Sequence, residues 1–336
     1  MSFIKVDASF ESLLYTVKPP SFLDVGISQA YLPWANRHDV LLNSPQATAN
    51  QFEAVIWDSA NKRLIPELEG LPYIEIVNSL DGKVIASTLT LPHRIGTAYL
   101  ARHKDAKLGE KRFRDALKEK VKNEGIYPAV FSFDPMSIVL GCFLSHIQGS
   151  MRIPRVLSGQ FIAKNAIAMP TGGASIDPIS AAGDSVDLKY FEKEKKNKGK
   201  ITKEKITKAS SIGLGNVPYV RESFTAESYS GKFVIDNRLV EQSTLKECEK
   251  QLVFTLSRYL LARFLNAPIM LRSECYLELD KVEYGTGVPF PSVDELLSEV
   301  QALIQECGCQ GKTTVQIPIE LKESEEGEEG EEKEQP

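Results

Sequence analysis

The stretch from Tyr229 to Lys281 constrains the fold of this 336-residue chain more than any other. Tyr229, Gly231, Phe233 and Ile235 alternate with Ser230, Lys232, Val234 and Asp236, the period of a strand with one buried face. Thr244 and Glu247 then stand at capping-box spacing. Leu245, Cys248, Leu252, Leu256, Tyr259 and Arg263 follow at helical spacing, flanked by apolar Val253, Leu260 and Phe264. Arg258 and Arg263 lie toward the end where the macrodipole favours cations. Asn266 and Pro268 end the helix. From Ile269 to Lys281 the strand period returns. Ile269, Leu271, Cys275, Leu277 and Leu279 share one face, and Arg272, Glu274, Tyr276, Glu278 and Asp280 the other. Strand, helix and strand of this size fit half of a ferredoxin-like βαββαβ domain, so the fold class expected is α+β.

The flanking sequence adds elements around that unit. Ser292 and Glu295 form a second capping-box pair. Val293, Leu296, Leu297, Val300, Leu303 and Ile304 give the helix a buried stripe, and Gly308 stops it. Val315, Ile317 and Ile319 alternate as a short strand, which Pro318 places at a sheet edge. Nearer the N-terminus, Ser44-Pro45 reads as an N-cap with proline at the first helical position. That helix runs through Ala47, Ala49, Phe52 and Val55 to Trp57, with Gln46, Asn50 and Glu53 on one polar stripe. Tyr73 to Val77 reads as a strand and Leu108 to Val121 as a basic helix. Ala168 to Asn216 is expected to be one long irregular segment. It opens with Pro170, Gly172 and Gly173 and closes at Gly213-Leu-Gly-Asn; a loop of that length is functional or disordered.

The net charge of −5 conceals two opposed regions. Residues 320–336 carry nine Glu and two Lys, and this Glu/Gly tail cannot bury a core. Without it the chain has 38 basic and 36 acidic side chains, so its body is mildly basic. Ten Lys/Arg face four Asp/Glu between Lys83 and Lys120, and nine face three between Lys189 and Lys208. Either cluster suits phosphate binding with counterion release; either also suits a solvated helix face or loop. The five cysteines include one Cys-Gly-Cys, Cys307 to Cys309, with no second pair or nearby histidine, so no metal site and no cofactor is expected. No apolar run approaches the ~20 residues needed to span a bilayer. The first residues carry Asp7 and Glu11 in place of a basic then apolar leader, which reads as cytoplasmic.

Two stretches concentrate basic, Gly/Pro and apolar residues as a nucleic-acid-handling loop does: Gly141 to Asn165 and Gly213 to Phe233. Neither holds a motif for bond-breaking chemistry. In the first, Arg152, Arg155 and Lys164 surround a proline-bent segment. Guanidinium groups bind phosphate bidentately and stack on bases, but a surface loop with structural ion pairs is the alternative.

Taken in order, seven segments resemble one family. They are NSPQATANQFEAVIWD (Asn43 to Asp58), GLPYIEI (Gly70 to Ile76), HRIGTAYL (His93 to Leu100), FDPMSIVLGCF (Phe133 to Phe143), MRIPRVLSGQFIAKN (Met151 to Asn165), GNVPYVRESFTAE (Gly215 to Glu227) and LRSECYLELDKVE (Leu271 to Glu283). The pattern is similar to the CRISPR-associated RAMP protein that forms the backbone of the type I-G (formerly I-U) Cascade complex, over roughly residues 10–290. The resemblance implies a modified RNA-recognition-motif (ferredoxin-like) palm spanning 1–319 with large insertions, among them a thumb β-hairpin at 168–224. It also implies head-to-tail copies along a CRISPR RNA whose spacer pairs with target DNA, a large subunit, a repeat-processing subunit and a helicase-nuclease as partners, and no membrane. The lysine-rich loop 189–208 and the tail 320–336, expected to be disordered, are peculiar to this chain and receive no family role.

On that basis the RNA-binding candidates are Gln46, Asn50, His93, Arg94, Arg152, Arg155, Lys164, Asn165, Tyr219 and Arg221. Gln46 and Asn50 sit one turn apart near a helix N-terminus, where backbone N–H groups favour phosphate and neutral amides bind without demanding a sequence. Tyr219 has the chemistry to stack on a base, with packing within a hairpin as its alternative. Lys83, Lys104, Lys107, Lys111 and Arg114 form a candidate DNA-facing basic patch, with a solvated helix surface as its alternative. No catalytic residue is assigned. Two other functions remain open at this point: a RAMP-type endoribonuclease using Asp177, Asp184 or Asp187 with a metal, and a general RNA-binding protein.

Overall fold

The computed structural model describes residues 3–145, 147, 150–179, 187–191, 193–197, 200–204, 206 and 212–319, with the backbone alone at 193–197, 200–204 and 217–221. The chain divides into two compact units, one of Met1–Ala168 with Ser223–Ile319 and one built on Met169–Glu222. The larger elements, in chain order, are β1 (Ile4–Ser12), β2 (Gln29–Leu32), β3 (Arg37–Asn43), α1 (Pro45–Ala54), β4 (Tyr73–Asn78), β5 (Val84–Ser87), β6 (Lys107–Leu108), β7 (Lys111–Arg112), α2 (Phe113–Glu124), α3 (Ile126–Phe133), β8 (Cys142–Leu144), β9 (Met151–Ile153), β10 (Leu157–Ser175), β11 (Val217–Ile235), α4 (Glu247–Leu265), β12 (Ile269–Arg272), β13 (Cys275–Tyr284), α5 (Val293–Glu306) and β14 (Lys312–Ile317). The fold is α+β.

The first unit is organised by a seven-stranded sheet with the order β12-β13-β1-β11-β10-β3-β2. β1 lies between β11 and β13 and is antiparallel to both, with Val6 opposite Phe233 on one side and Tyr284 on the other. By chain position β13, β1, β11 and β10 stand fourth, first, third and second. α1 falls between the first and second of them and α4 between the third and fourth. α4 brings Leu252, Leu256, Leu260 and Phe264 into the core. The Phe264 ring lies 5.2 Å from Phe52 of α1, 6.0 Å from Phe161 of β10 and 6.4 Å from Phe233 of β11, all edge-on. Such rings combine large buried area with favourable quadrupole geometry, about 0.5–1.5 kcal/mol per pair beyond burial. The cluster depends on Gly159, where a Cβ would lie 2.3 Å from the Phe233 ring. Gly159→Ala would overpack the core, at a cost of about 1–3 kcal/mol.

A second sheet has the order β7-β6-β14-β4-β5, with β14 parallel to β4 and Val315 opposite Ile76. α5 buries Leu296, Val300, Leu303 and Ile304. Its capping box is complete: the Ser292 N–H donates to Glu295 Oε2 at 2.8 Å and the Glu295 N–H to Ser292 Oγ at 3.2 Å. Ser44 caps α1 by accepting from the Ala47 N–H at 3.2 Å.

Five sequence expectations are corrected. α4 does not start at the Thr244/Glu247 pair. Thr244 lies in the turn after a short helix, where Ser243 Oγ donates to Val240 O at 2.6 Å; α4 begins at Glu247, with the Lys246 N–H donating to Glu249 Oε2 at 2.8 Å. Ile269 to Lys281 is not one strand but the hairpin β12–β13, turned at Ser273-Glu274, where Glu274 has φ 65°. β14 is an interior strand, because Pro318 falls just beyond its last residue and removes no ladder donor. The basic helix begins at Phe113, since Gly109, at φ 60°, turns β6 into β7. The segment from Ala168 to Asn216 is not wholly irregular: β10 runs on to Ser175, and Lys193–Asn197 pairs antiparallel with Lys200–Glu204.

In the second unit Asp177 organises a turn. Its N–H donates to Asn216 Oδ1, while its two carboxylate oxygens accept from Ile179 N and Gly215 N, each bond 2.8–2.9 Å. Most of the lysine-rich loop's side chains, Asp184 and the tail 320–336 lie outside the described residues. Among the described residues no helix is long and apolar enough to cross a membrane.

Candidate nucleic-acid interface

A cleft of about 640 Å³ opens in the first unit where three excursions meet. The first turn of α1 contributes Gln46, a 3-10 turn contributes His93 and Arg94, and the β8–β9 hairpin with its exit contributes Phe143, Arg152 and Arg155. Two glycines make this approach possible. A Cβ on Gly96 would lie 2.3 Å from Phe143 O, so only glycine lets the 3-10 turn touch β8. Gly141 has φ 79° and would place a Cβ 2.9 Å from Arg155 Cγ.

The back of the cleft is a buried charge cluster. Arg94 Nε donates to Glu53 Oε1 at 2.7 Å and Nη1 to Gly141 O at 3.1 Å. Both side chains of the pair are less than a tenth exposed. Burial lifts the Glu53 carboxyl to about 7 against the pull of Arg94. Asp134, fully buried, accepts from Ser137 Oγ at 2.6 Å; burial lifts it to about 6 against Ser137 and Arg94. Burial also pushes the Cys142 thiol up to about 12, so it stays protonated and is no nucleophile at neutral pH.

The mouth is different. Arg155 is half-buried, and its Nη2 donates to Gln46 Oε1 at 3.3 Å. Burial, and then the charge of Arg94, pull its pKa down. Arg152 is exposed and sits 5.1 Å over the ring of Phe143, its cross-strand partner. His93 is exposed beside them. Among the described residues no carboxylate forms an ion pair with Arg152 or Arg155. Two guanidinium groups without acidic partners, a neutral amide and an imidazole around one cleft suit an anion bearing several oxygens.

The structure therefore brings together Gln46, His93, Arg94, Arg152 and Arg155, but gives Arg94 a structural place in the wall. Glu53, read as part of a polar stripe with Gln46 and Asn50, is buried because Arg94 reaches it from 41 residues away. Asn50 is exposed on α1 and does not line the cleft. Lys164 lies six residues beyond Ser158 on β10, roughly 20 Å at about 3.3 Å per residue. Asn165 joins strands: its N–H donates to Asp39 Oδ1 at 3.2 Å and its Nδ2 to Glu227 Oε2 at 3.0 Å. The side chains of Tyr219 and Arg221 lie outside the described residues.

The five-residue basic patch is not one surface. Lys107 and Lys111 lie on β6 and β7, and Arg114 in the first turn of α2. Lys83 precedes β5 at the opposite edge of the same sheet, four strand spacings or roughly 19 Å away. Lys83 pairs with Asp81 at 3.6 Å and Lys111 with Glu119 at 2.9 Å. Sequence reasoning overlooked Phe143, whose alternation with Arg152 across two short strands was too brief to register as a hairpin.

These features define an arginine-lined cleft on an α+β scaffold. Residues 15–168, which include its entire lining, match the family model described as CRISPR-associated protein GSU0053. No curated protein sequence matches the chain. Among solved structures, a chain of a "CRISPR RNA-guided surveillance complex, pre-nicking" aligns over 84% of this chain and 75% of that one, with 13% identity and a TM-score of 0.40. Over the part that builds the cleft, the chain is thus similar to a CRISPR-associated family.

Proposed function

We propose that this chain is a non-catalytic, guide-RNA-binding backbone subunit of a type I-G CRISPR surveillance complex. The observation that carries the reading is the cleft that gathers Gln46, His93, Arg152 and Arg155 within the family-matched residues. Guanidinium and amide groups hold phosphate and sugar without reading bases, which suits a guide whose sequence varies while base pairing with target DNA does the reading. The strand order fourth, first, third, second supports a ferredoxin-like palm, and the second unit spans the residues where the resemblance expects a thumb. Copies would associate head to tail, because an isologous contact closes at a dimer. The large subunit, the repeat-processing subunit and the helicase-nuclease would be further partners in the cytoplasm. Asp177 gives no support to a nuclease reading, since both its oxygens accept backbone N–H groups.

Nuclease footprinting of RNA co-purified with the chain, expressed beside a CRISPR array and the adjacent genes, tests this. Protected guide RNA with evenly spaced exposed nucleotides is expected. Heterogeneous RNA without a repeating footprint would sink the backbone reading in favour of a general RNA-binding protein.

A further inference from the structure

A second pocket, of about 530 Å³, adjoins the arginine cleft and shares Ser158 with it. Its volume lies within the range of small-ligand sites, roughly 300–1,000 Å³. It sits on the first unit's main sheet, where β1, β10 and β11 meet, and its walls are mainly apolar, with Phe3 and Val234 prominent and Lys5, Gln160 and Lys232 polar. Phe3 is 47% exposed, with the Arg238 guanidinium on one face of its ring at 3.9 Å and Arg238 paired to Asp236 at 2.9 Å.

The charge at the rim favours an anionic ligand. Lys5 and Lys232 both contact one carboxylate, Asp7, at 2.6 and 3.0 Å. Two ammonium groups share a single negative charge, so one positive charge is left over beside an aromatic wall. Gln160 and Ser158 add donors and acceptors, and Ser158 also lines the cleft. A mainly apolar pocket with a cationic rim, sharing Ser158 with a guanidinium-lined cleft, suits a nucleotide whose base enters the pocket and whose backbone passes into the cleft.

We propose that this pocket seats one nucleobase of the single-stranded RNA whose phosphates occupy the arginine cleft, with Phe3 as its platform and Lys5 and Lys232 beside the neighbouring phosphate. The inference rests on the RNA-binding reading above and adds a base-holding position to it. The binding is sequence-tolerant, since every base presents a π-face.

The test uses the full chain and a single-stranded oligouridylate, with and without 4-thiouridine. Photocrosslinks are expected in the peptides carrying Phe3 or Ser158 to Gln160. Phe3→Ala is expected to weaken binding about tenfold while leaving the salt slope unchanged, because stacking releases no counterions. Phe3→Leu, which keeps apolar volume and loses the ring, should weaken it similarly. An oligomer of the same length whose ribose phosphates lack bases should bind wild type and Phe3→Ala alike. If wild type binds the oligouridylate and both Phe3 variants match it, the pocket assignment is overturned and the cleft reading stands. If wild type binds no RNA at all, both fall.

Discussion

Arg94 and Arg155 line the same cleft, and both feel Glu53, yet their surroundings give them opposite uses. Arg94 meets a fitted carboxylate at 2.7 Å and a backbone carbonyl at 3.1 Å, and is closed off from solvent. Arg155 meets one neutral amide at 3.3 Å through Nη2; its Nε has no partner but is itself buried, so only its terminal N–H groups face the mouth. A buried guanidinium with matched acceptors belongs to the scaffold, because breaking it strands a charge in low dielectric. A guanidinium with spare donors at a cleft mouth is available to a ligand. Residue type and location in the sequence do not separate the two; partner geometry does.

The sharpest way to break this contrast is Arg94→Ala. Removing one partner of a buried ion pair costs about 3–5 kcal/mol, so the chemical-denaturation midpoint should fall steeply. A variant of near wild-type stability that had lost RNA affinity would reverse the assignment. Next in size is the pair Arg152→Ala with Arg155→Ala. Losing two charge-assisted contacts should weaken RNA binding by roughly 100-fold, about 3 kcal/mol, and make the salt slope shallower by about 1.4 for a single strand. Its stability should change by less than about 1 kcal/mol, since neither residue holds a described ion pair. Unchanged binding and slope would remove the mouth from the interface. Lys164→Ala, on the same strand system but outside the cleft, sharpens the test: its slope change should stay below about 0.7.

The parts of the fold legible in the sequence were those written in local chemistry. Ser44-Pro45, Ser292 with Glu295, and the long stripe from Leu252 to Phe264 each announce a helix through contacts within a turn or two. The β12–β13 turn escaped because Ser273-Glu274 lacks the Gly or Asn that usually marks a positive φ, and the buried alternation continues on both sides of it. Thr244 and Glu247 misled because Thr244 stays in the turn after a preceding short helix and α4 takes Lys246 as its N-cap. At the site, Gln46, His93, Arg152 and Arg155 were named in advance, but nothing local distinguishes them from Arg94. The basic patch failed on topology alone, because Lys83 and Lys107 are near in sequence while two strands, β4 and β14 from the far end of the chain, lie between them.

Acidity offers a last and smaller contrast between back and mouth. Glu53 rises from an ordinary carboxyl value near 4.5 to about 7 in the fold, and Asp134 from 3.8 to about 6, each chiefly through burial. A raised acid binds its proton more tightly when folded, so its contribution to stability is full below the unfolded value and is lost as pH rises through the folded one. Surface carboxylates such as Asp7 and Asp236 are shifted down, and their effect lies below about pH 4, outside this window. Between pH 5 and 7.5 wild type should therefore lose about 2 kcal/mol relative to Glu53→Gln, which keeps an acceptor for Arg94 but cannot ionise. The same variant should leave the salt slope of RNA binding within experimental error, because the mouth keeps its cations. Parallel stability curves for the two proteins would mean that Arg94 holds Glu53 ionised throughout. The Arg94–Glu53 pair would then carry no net charge, and Arg152 and Arg155 alone would have to supply the cleft's positive charge.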